Sequence, residues 1–244
     1  MLSSYAKREW LTVLAIGLML SITLIVVQLW WLLIVVAIVT VAVLSFFRDP
    51  DRRVPLQRGV VVSPADGRIS SVHRIDQFEP FGEPATCIRI FLSVFNVHVN
   101  RCPCHGMVES IAQQPGRYLN ALNPSSAEVN QATLVVLSHP VRRCPVAAVR
   151  QVAGMLARTI VCDATVGETL QRGQRFGMIK LGSTTELYLP QSLSPEVLVQ
   201  QGQKVYAGLT VMANVTTPQD RSASPSVAID EKTDKPARRV AAKG

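Results

Sequence analysis

Three short segments carry side chains whose types and spacing suit covalent chemistry. In Gly177-Met-Ile-Lys-Leu-Gly-Ser-Thr184 a glycine precedes a serine. Gly182 offers an unhindered carbonyl and tolerates strained backbone angles, so the Ser183 hydroxyl is placed to attack the carbonyl before it. A plain Gly-Ser turn between strands reads the same pair equally well. In Phe95-Asn-Val-His98-Val-Asn-Arg101, alternation puts Asn96, His98 and Asn100 on one strand face and Phe95, Val97 and Val99 on the other. An imidazole beside two amides and Arg101 is suited to moving a proton near neutral pH, although an ordinary polar strand face has the same pattern. In Ser63-Pro-Ala-Asp66-Gly67, Asp66 serves either the turn or the orientation of a histidine, as the acid of a triad does.

The elements that must position these groups read as strands. Val60–Val62, Arg68–Val72, Cys87–Val99 and Thr133–Leu137 are short β-branched or apolar runs separated by turn residues such as Pro80-Phe-Gly82 and Pro103-Cys-His-Gly106. No 3.6-residue apolar period follows residue 50, so a mainly β fold is expected there. Gln171-Arg-Gly173-Gln174 and Gln200-Gln-Gly202-Gln203 begin a weak internal repeat, each followed by a short strand. Paired hairpins of this kind look like barrel-sandwich domains, in which a lysine at a hairpin tip carries a cofactor. Lys180 follows Met178-Ile179, so a membrane-tethered carrier or adaptor without catalysis is the competing reading. From Thr217 to Gly244 the chain is polar and rich in proline and charge, which predicts a disordered tail.

Before this body lies a different solvent preference. The chain has 244 residues, 48% hydrophobic and 17% charged, with a mean hydropathy of +0.24. The apolar residues are segregated: Trp10–Phe47 holds no charge at all. That run is too long for a signal peptide and too long for one span of about 20 residues. Gln28 is its only strongly polar side chain, and Lys7 and Arg8 before it face Arg48, Arg52, Arg53 and Arg58 after it. Basic flanks at both ends place both ends in the cytoplasm. A helical hairpin is expected, with one span plus an interfacial helix as the alternative. The organisation is then an anchor at 1–47, a β-rich domain at 48–216 and the tail at 217–244.

Of the net charge of +8, residues 48–182 carry +6, which suits an anionic lipid surface better than nucleic acid, for which no binding motif appears. The five cysteines, an odd number, argue for free cytoplasmic thiols. Cys102-Pro-Cys-His105 lacks a second pair at zinc spacing and reads as packing, with no metal expected.

Six segments in order resemble the phosphatidylserine decarboxylases, in particular their short, membrane-anchored bacterial branch. They are Phe46-Phe-Arg-Asp-Pro-Asp-Arg52, Ser63-Pro-Ala-Asp-Gly67, Val97-His-Val-Asn-Arg101, Pro115-Gly116, Gln151-Val-Ala-Gly154 and Gly177–Thr184. The resemblance implies a self-processing enzyme of the cytoplasmic membrane, its catalytic domain facing the cytoplasm. Cleavage between Gly182 and Ser183 would leave β and α chains and turn Ser183 into a pyruvoyl group, which takes the amine of phosphatidylserine as a Schiff base. The product is phosphatidylethanolamine. His98 matches the histidine linked to decarboxylation, Asp66 matches the processing acid, and Asn96, Asn100 and Arg101 fall where headgroup contacts are expected. The long branch has a second histidine where Arg101 stands, and that histidine belongs to its processing triad, so the processing base is open. Many short-branch members carry Asn-Glu-Arg where this chain reads Asn130-Gln-Ala132.

Overall fold

The computed structural model describes residues 1–119, 129–154, 159–180 and 183–216. Gly182 and the expected tail at 217–244 lie outside the described residues. The chain opens with a single turn, Ser4–Ala6, followed by α1 (Lys7–Val26) and α2 (Trp30–Phe46). The two helices pack against each other as a hairpin. The reversal needs neither glycine nor proline because Gln28 itself takes a left-handed φ of 62°. Close approach is allowed by Gly17, where an added Cβ would lie 2.7 Å from Thr40 Oγ1.

Ser4–Val26 runs for 23 residues, and its most apolar 18-residue stretch has a mean hydropathy of 2.1; the helix is about 34 Å long, enough for a hydrocarbon core of about 30 Å. The 17 residues of α2 reach only about 26 Å. The two ends of the hairpin meet: Ser3 N–H donates to Phe47 O at 2.8 Å, and Asp49 N–H to Met1 O at 2.8 Å.

The body is built of strands β1 (Val60–Val62), β2 (Gly67–Phe78), β3 (Glu83–Leu92), β4 (Val99–Arg101), β5 (Gly106–Gln114), β6 (Ala132–Ser138) and β7 (Pro145–Val152). After them come β8 (Ile160–Cys162), β9 (Thr169–Leu170), β10 (Arg175–Ile179), β11 (Ser183–Pro190), β12 (Glu196–Val197), β13 (Lys204–Val205) and β14 (Val211–Asn214). The main sheet has the order β13-β2-β3-β11-β7-β6-β5-β9, and two small sheets run β4-β10-β8 and β1-β14-β12. One apolar cluster, from Val61 through Ile90, Val149, Phe176, Leu187 and Met212, joins all three sheets. The expected mainly β fold with an apolar helical anchor is the one observed.

Two features of the sequence reading are refined. The run Cys87–Val99 is two strands, not one. It breaks after Leu92 because Asn96 Oδ1 accepts from Ser93 N–H and Ser93 Oγ, both at 2.9 Å, which closes a turn. The simple two-face alternation fails with it: Phe95 is exposed, while every residue from Val97 to Arg101 is buried. The internal repeat is a repeated turn. Gly173 and Gly202 both have left-handed φ, 79° and 86°. In each copy the glutamine after the glycine accepts from the backbone N–H three residues back, Gln174 from Gln171 at 2.9 Å and Gln203 from Gln200 at 3.1 Å.

Candidate active site

Ser183 is the first residue of β11, a strand buried along its whole length between β3 and β7. Its backbone is fixed by pairing with Leu92, and that of Thr184 by Phe91 and Val152. The Ser183 side chain is fully buried, yet its hydroxyl has no hydrogen-bond partner among the described residues. Leaving a buried hydroxyl unpaired costs about 1–3 kcal/mol, so this position is held for a reason other than stability.

Its surroundings include a chain of hydrogen-bonded side chains, in which Gln151 Oε1 is likewise buried without a partner among the described residues. Gln151 Nε2 donates to Asn100 Oδ1 at 2.9 Å, and Asn100 Nδ2 donates to Thr185 Oγ1 at 3.2 Å and to Pro64 O at 3.4 Å. All three side chains are buried. This amide chain ties β7, β4 and β11 to the Ser63–Gly67 turn. Sequence reasoning singled out Asn100 but neither Gln151 nor Thr185; the Gln151-Val-Ala-Gly154 segment was the available signal.

His98 sits at the mouth of β4, fully buried, with its carbonyl accepting from Ile179 N–H at 3.1 Å. That bond brings it to the end of β10, just before the link to Ser183. The ring lies against Phe46, the last residue of α2, at 4.3 Å between centroids. Burial pushes its pKa down to about 4; the backbone of Asn96 and the charge of Asp66 oppose that shift and Arg48 adds to it. At neutral pH the imidazole is therefore uncharged and able to accept a proton.

Asp66 is held by a partner that sequence reasoning did not assign. Arg52 donates to both of its carboxylate oxygens, at 2.5 and 2.9 Å, and Ala207 N–H adds a third bond at 2.7 Å. Both side chains of the pair are almost wholly buried. Asp66 acts on His98 through its charge, and both side chains are buried, where charges are weakly screened.

Arg101 also looks inward: it donates to Asp49, Pro50 and Gly173 at 2.9–3.1 Å. With Arg175, which pairs with Asp49 and Asp51, it fastens the segment after α2 to the body. Asn96 closes the turn already described. In this arrangement Arg101, Asn100 and the Asn96 Oδ1 each hydrogen-bond to protein groups and shape the site.

The other candidate chemistries have less support. Lys180 is not at an exposed hairpin tip; its side chain is 17% exposed and ion-paired with Glu9 of α1. Burial pushes the Cys87 and Cys104 thiols up to about 12, where they stay protonated and unreactive at neutral pH. The described residues contain no cluster of three or more metal-binding side chains.

A family model for phosphatidylserine decarboxylase matches residues 39–213. The phosphatidylserine decarboxylase proenzyme of Rhodopirellula baltica is 44% identical over 209 residues, spanning 84% of this chain and 86% of that one. The proenzyme of the same name from Oleidesulfovibrio alaskensis is 41% identical over 208 residues, 84% of this chain and 92% of its own. That from Ralstonia nicotianae is 45% identical over 190 residues, 76% and 81% of the two chains.

Proposed function

The chain belongs to the phosphatidylserine decarboxylase family, and we propose on that premise that it cleaves itself between Gly182 and Ser183 to make its own catalytic group. It decarboxylates phosphatidylserine to phosphatidylethanolamine and is made as a proenzyme. The observation that carries the cleavage site is the Ser183 hydroxyl, fully buried and without a hydrogen bond among the described residues, at the head of the central strand.

In this reading the Ser183 oxygen attacks the Gly182 carbonyl carbon while its proton passes to a base. Collapse breaks the Gly182–Ser183 C–N bond and leaves an ester. Loss of the Ser183 α-proton with the Gly182 carboxylate then breaks the ester, and water releases ammonia from what remains. The products are a 182-residue β chain and a 62-residue α chain that begins with a pyruvoyl group. That group supplies a ketone able to take up the electron pair left when CO₂ departs.

This chain's residues fit such a group. The place it would occupy is buried and anchored by backbone pairing, Ser183 to Leu92 and Thr184 to both neighbouring strands. His98, whose backbone is bonded to Ile179 at the end of β10, serves as the neutral base, and Asp66, locked by Arg52, stabilises the imidazolium when it forms. The amide chain from Gln151 through Asn100 fixes Thr185, two residues along. Cleavage need not loosen the body, because β11 of the α chain lies between β3 and β7 of the β chain, and β13 and β14 pair with its β2 and β1.

The hairpin sits in the cytoplasmic membrane with the body on the cytoplasmic side, a placement supported by the basic residues flanking both of its ends. Membrane-bound acyl chains then bring the serine headgroup to a site at the bilayer surface.

Mass spectrometry of the purified protein tests the reading. Two chains are expected, with the second blocked at its N-terminus, and Ser183→Ala should remain one inactive polypeptide. A single 244-residue chain with an intact Gly182–Ser183 bond in active wild-type protein would sink it.

A further inference from the structure

Between the end of α2, the start of α1 and the turn after β3 lies a cavity of about 500 Å³. Its walls are mostly apolar, with Val39, Val43, Phe46 and Phe95 among them. Val39 and Val43 stand 54% and 41% exposed on the helix that faces lipid, so the cavity opens toward acyl chains. Phe46 also touches His98, so the other side of the wall is the candidate active site.

Two cations break the apolar lining. Among the described residues Arg48 donates only to neutral groups, Ser45 O at 2.8 Å and Phe95 O at 2.5 Å. Among the described residues no carboxylate lies within ion-pair distance of it. A guanidinium has five N–H donors, so part of the group and its whole charge are left over. Lys180, three residues before Ser183, faces the same cavity and is paired with Glu9. Glu9 is 41% exposed and belongs to a different element; such partly exposed pairs are weak and exchange readily.

Resting on the decarboxylase reading, we propose that Arg48 and Lys180 bind the phosphodiester of the lipid substrate, and that Glu9 occupies the place of that anion while the cavity is empty. An apolar cavity open to lipid, lined by two cations and walled off from the candidate active site by Phe46, is the complement of a phospholipid: acyl chains outward, phosphodiester on the cations, serine toward Ser183. Lipid entry then exchanges one anion for another at Lys180, so that ammonium is paired at every stage, and the charge of Arg48 gains its partner with the lipid.

Calorimetry on the full-length, self-processed protein in detergent micelles tests this with dihexanoyl phosphatidylglycerol, a phosphodiester lipid that has no amine. Arg48→Gln and Lys180→Gln should each raise Kd about tenfold, the loss of one charge-assisted contact. Glu9→Gln should lower Kd, because it removes the competing anion. Inorganic phosphate at the same concentrations should give no saturable heat.

Unchanged Kd in both cation variants overturns the proposal. So does weaker binding in Glu9→Gln, which would make the pair a structural tie, and so does phosphate binding as tightly as the lipid, which would make this a free-anion site. If Lys180→Gln does not fold, Arg48→Gln decides alone. Binding is read without turnover, so the two readings fail separately: wild type that binds the lipid but leaves phosphatidylserine intact sinks the decarboxylase, not the clamp.

Discussion

An imidazole kept neutral by burial ties stability to pH in a defined direction. His98 titrates near 4 when folded and near 6.5 when unfolded. Between those values the unfolded chain binds the extra proton, so stability is complete above about pH 6.5 and falls as the pH drops toward 4. A shift of that size corresponds to roughly 3 kcal/mol. In an uncleaved Ser183→Ala background, urea midpoints should therefore fall over this window, and His98→Gln should flatten the fall. An unchanged slope would mean that His98 is solvated. The same variant in the cleavable chain should process slowly or not at all, read as the persistence of the full-length band. At this scale much was legible: Ser183, His98 and Asp66 stand out by type and by neighbours. Arg52 did not, because its bond to Asp66 exists only once the turn and the segment after α2 are side by side.

The turn that carries Asp66 is held by more than hydrogen bonds. Gly67 starts β2 so close to β3 that an added Cβ would lie 2.2 Å from Phe91 O. That contact explains why a glycine must follow the aspartate, beyond the general turn preference of the Asp-Gly pair. The Arg52–Asp66 pair is buried on both sides, and removing one partner from a buried pair costs about 3–5 kcal/mol. Arg52→Gln should thus lower the melting midpoint by about 10 °C in near-ultraviolet circular dichroism. Asp66→Asn should lower it comparably and, in addition, slow self-cleavage more than Arg52→Gln does, because it also removes the charge that acts on His98. Equal cleavage rates in the two variants would reduce Asp66 to a structural role. The strands themselves were readable from β-branched runs and turn residues. The break after Leu92 was not, since Ser93 and Asn96 fit an extended polar face as well as a turn until Asn96 folds back onto Ser93. The repeated glutamine-glycine turns were visible as spacing, but their left-handed glycines were not.

At the scale of the molecule the anchor is joined to the chemistry, not merely to the membrane. The uncharged run from Trp10 to Phe47 reads in the sequence as a tether. Folded, its last helical residue covers the imidazole at 4.3 Å, and the segment that follows is fastened by Arg101, Arg175 and Arg52 to three parts of the body. Composition could not disclose this, because a tether and a wall have the same hydropathy. The difference is measurable in the full-length protein. Burial is the largest cause of the low His98 pKa, and Phe46 supplies part of that burial from outside the β domain. Phe46→Ala should admit water to the ring and raise the His98 pKa from about 4 toward the ordinary value near 6.5. Titration of the histidine Cε1 proton by NMR in detergent micelles reads this directly. Trp30→Ala, at the opposite end of α2 and 59% exposed, should leave the titration where it is. With the ring partly charged at neutral pH, the Phe46 variant should also cleave itself more slowly below pH 7 and regain rate as the pH rises. If Phe46→Ala and Trp30→Ala titrate alike, the hairpin is only a tether, and the burial of His98 belongs to the β domain alone.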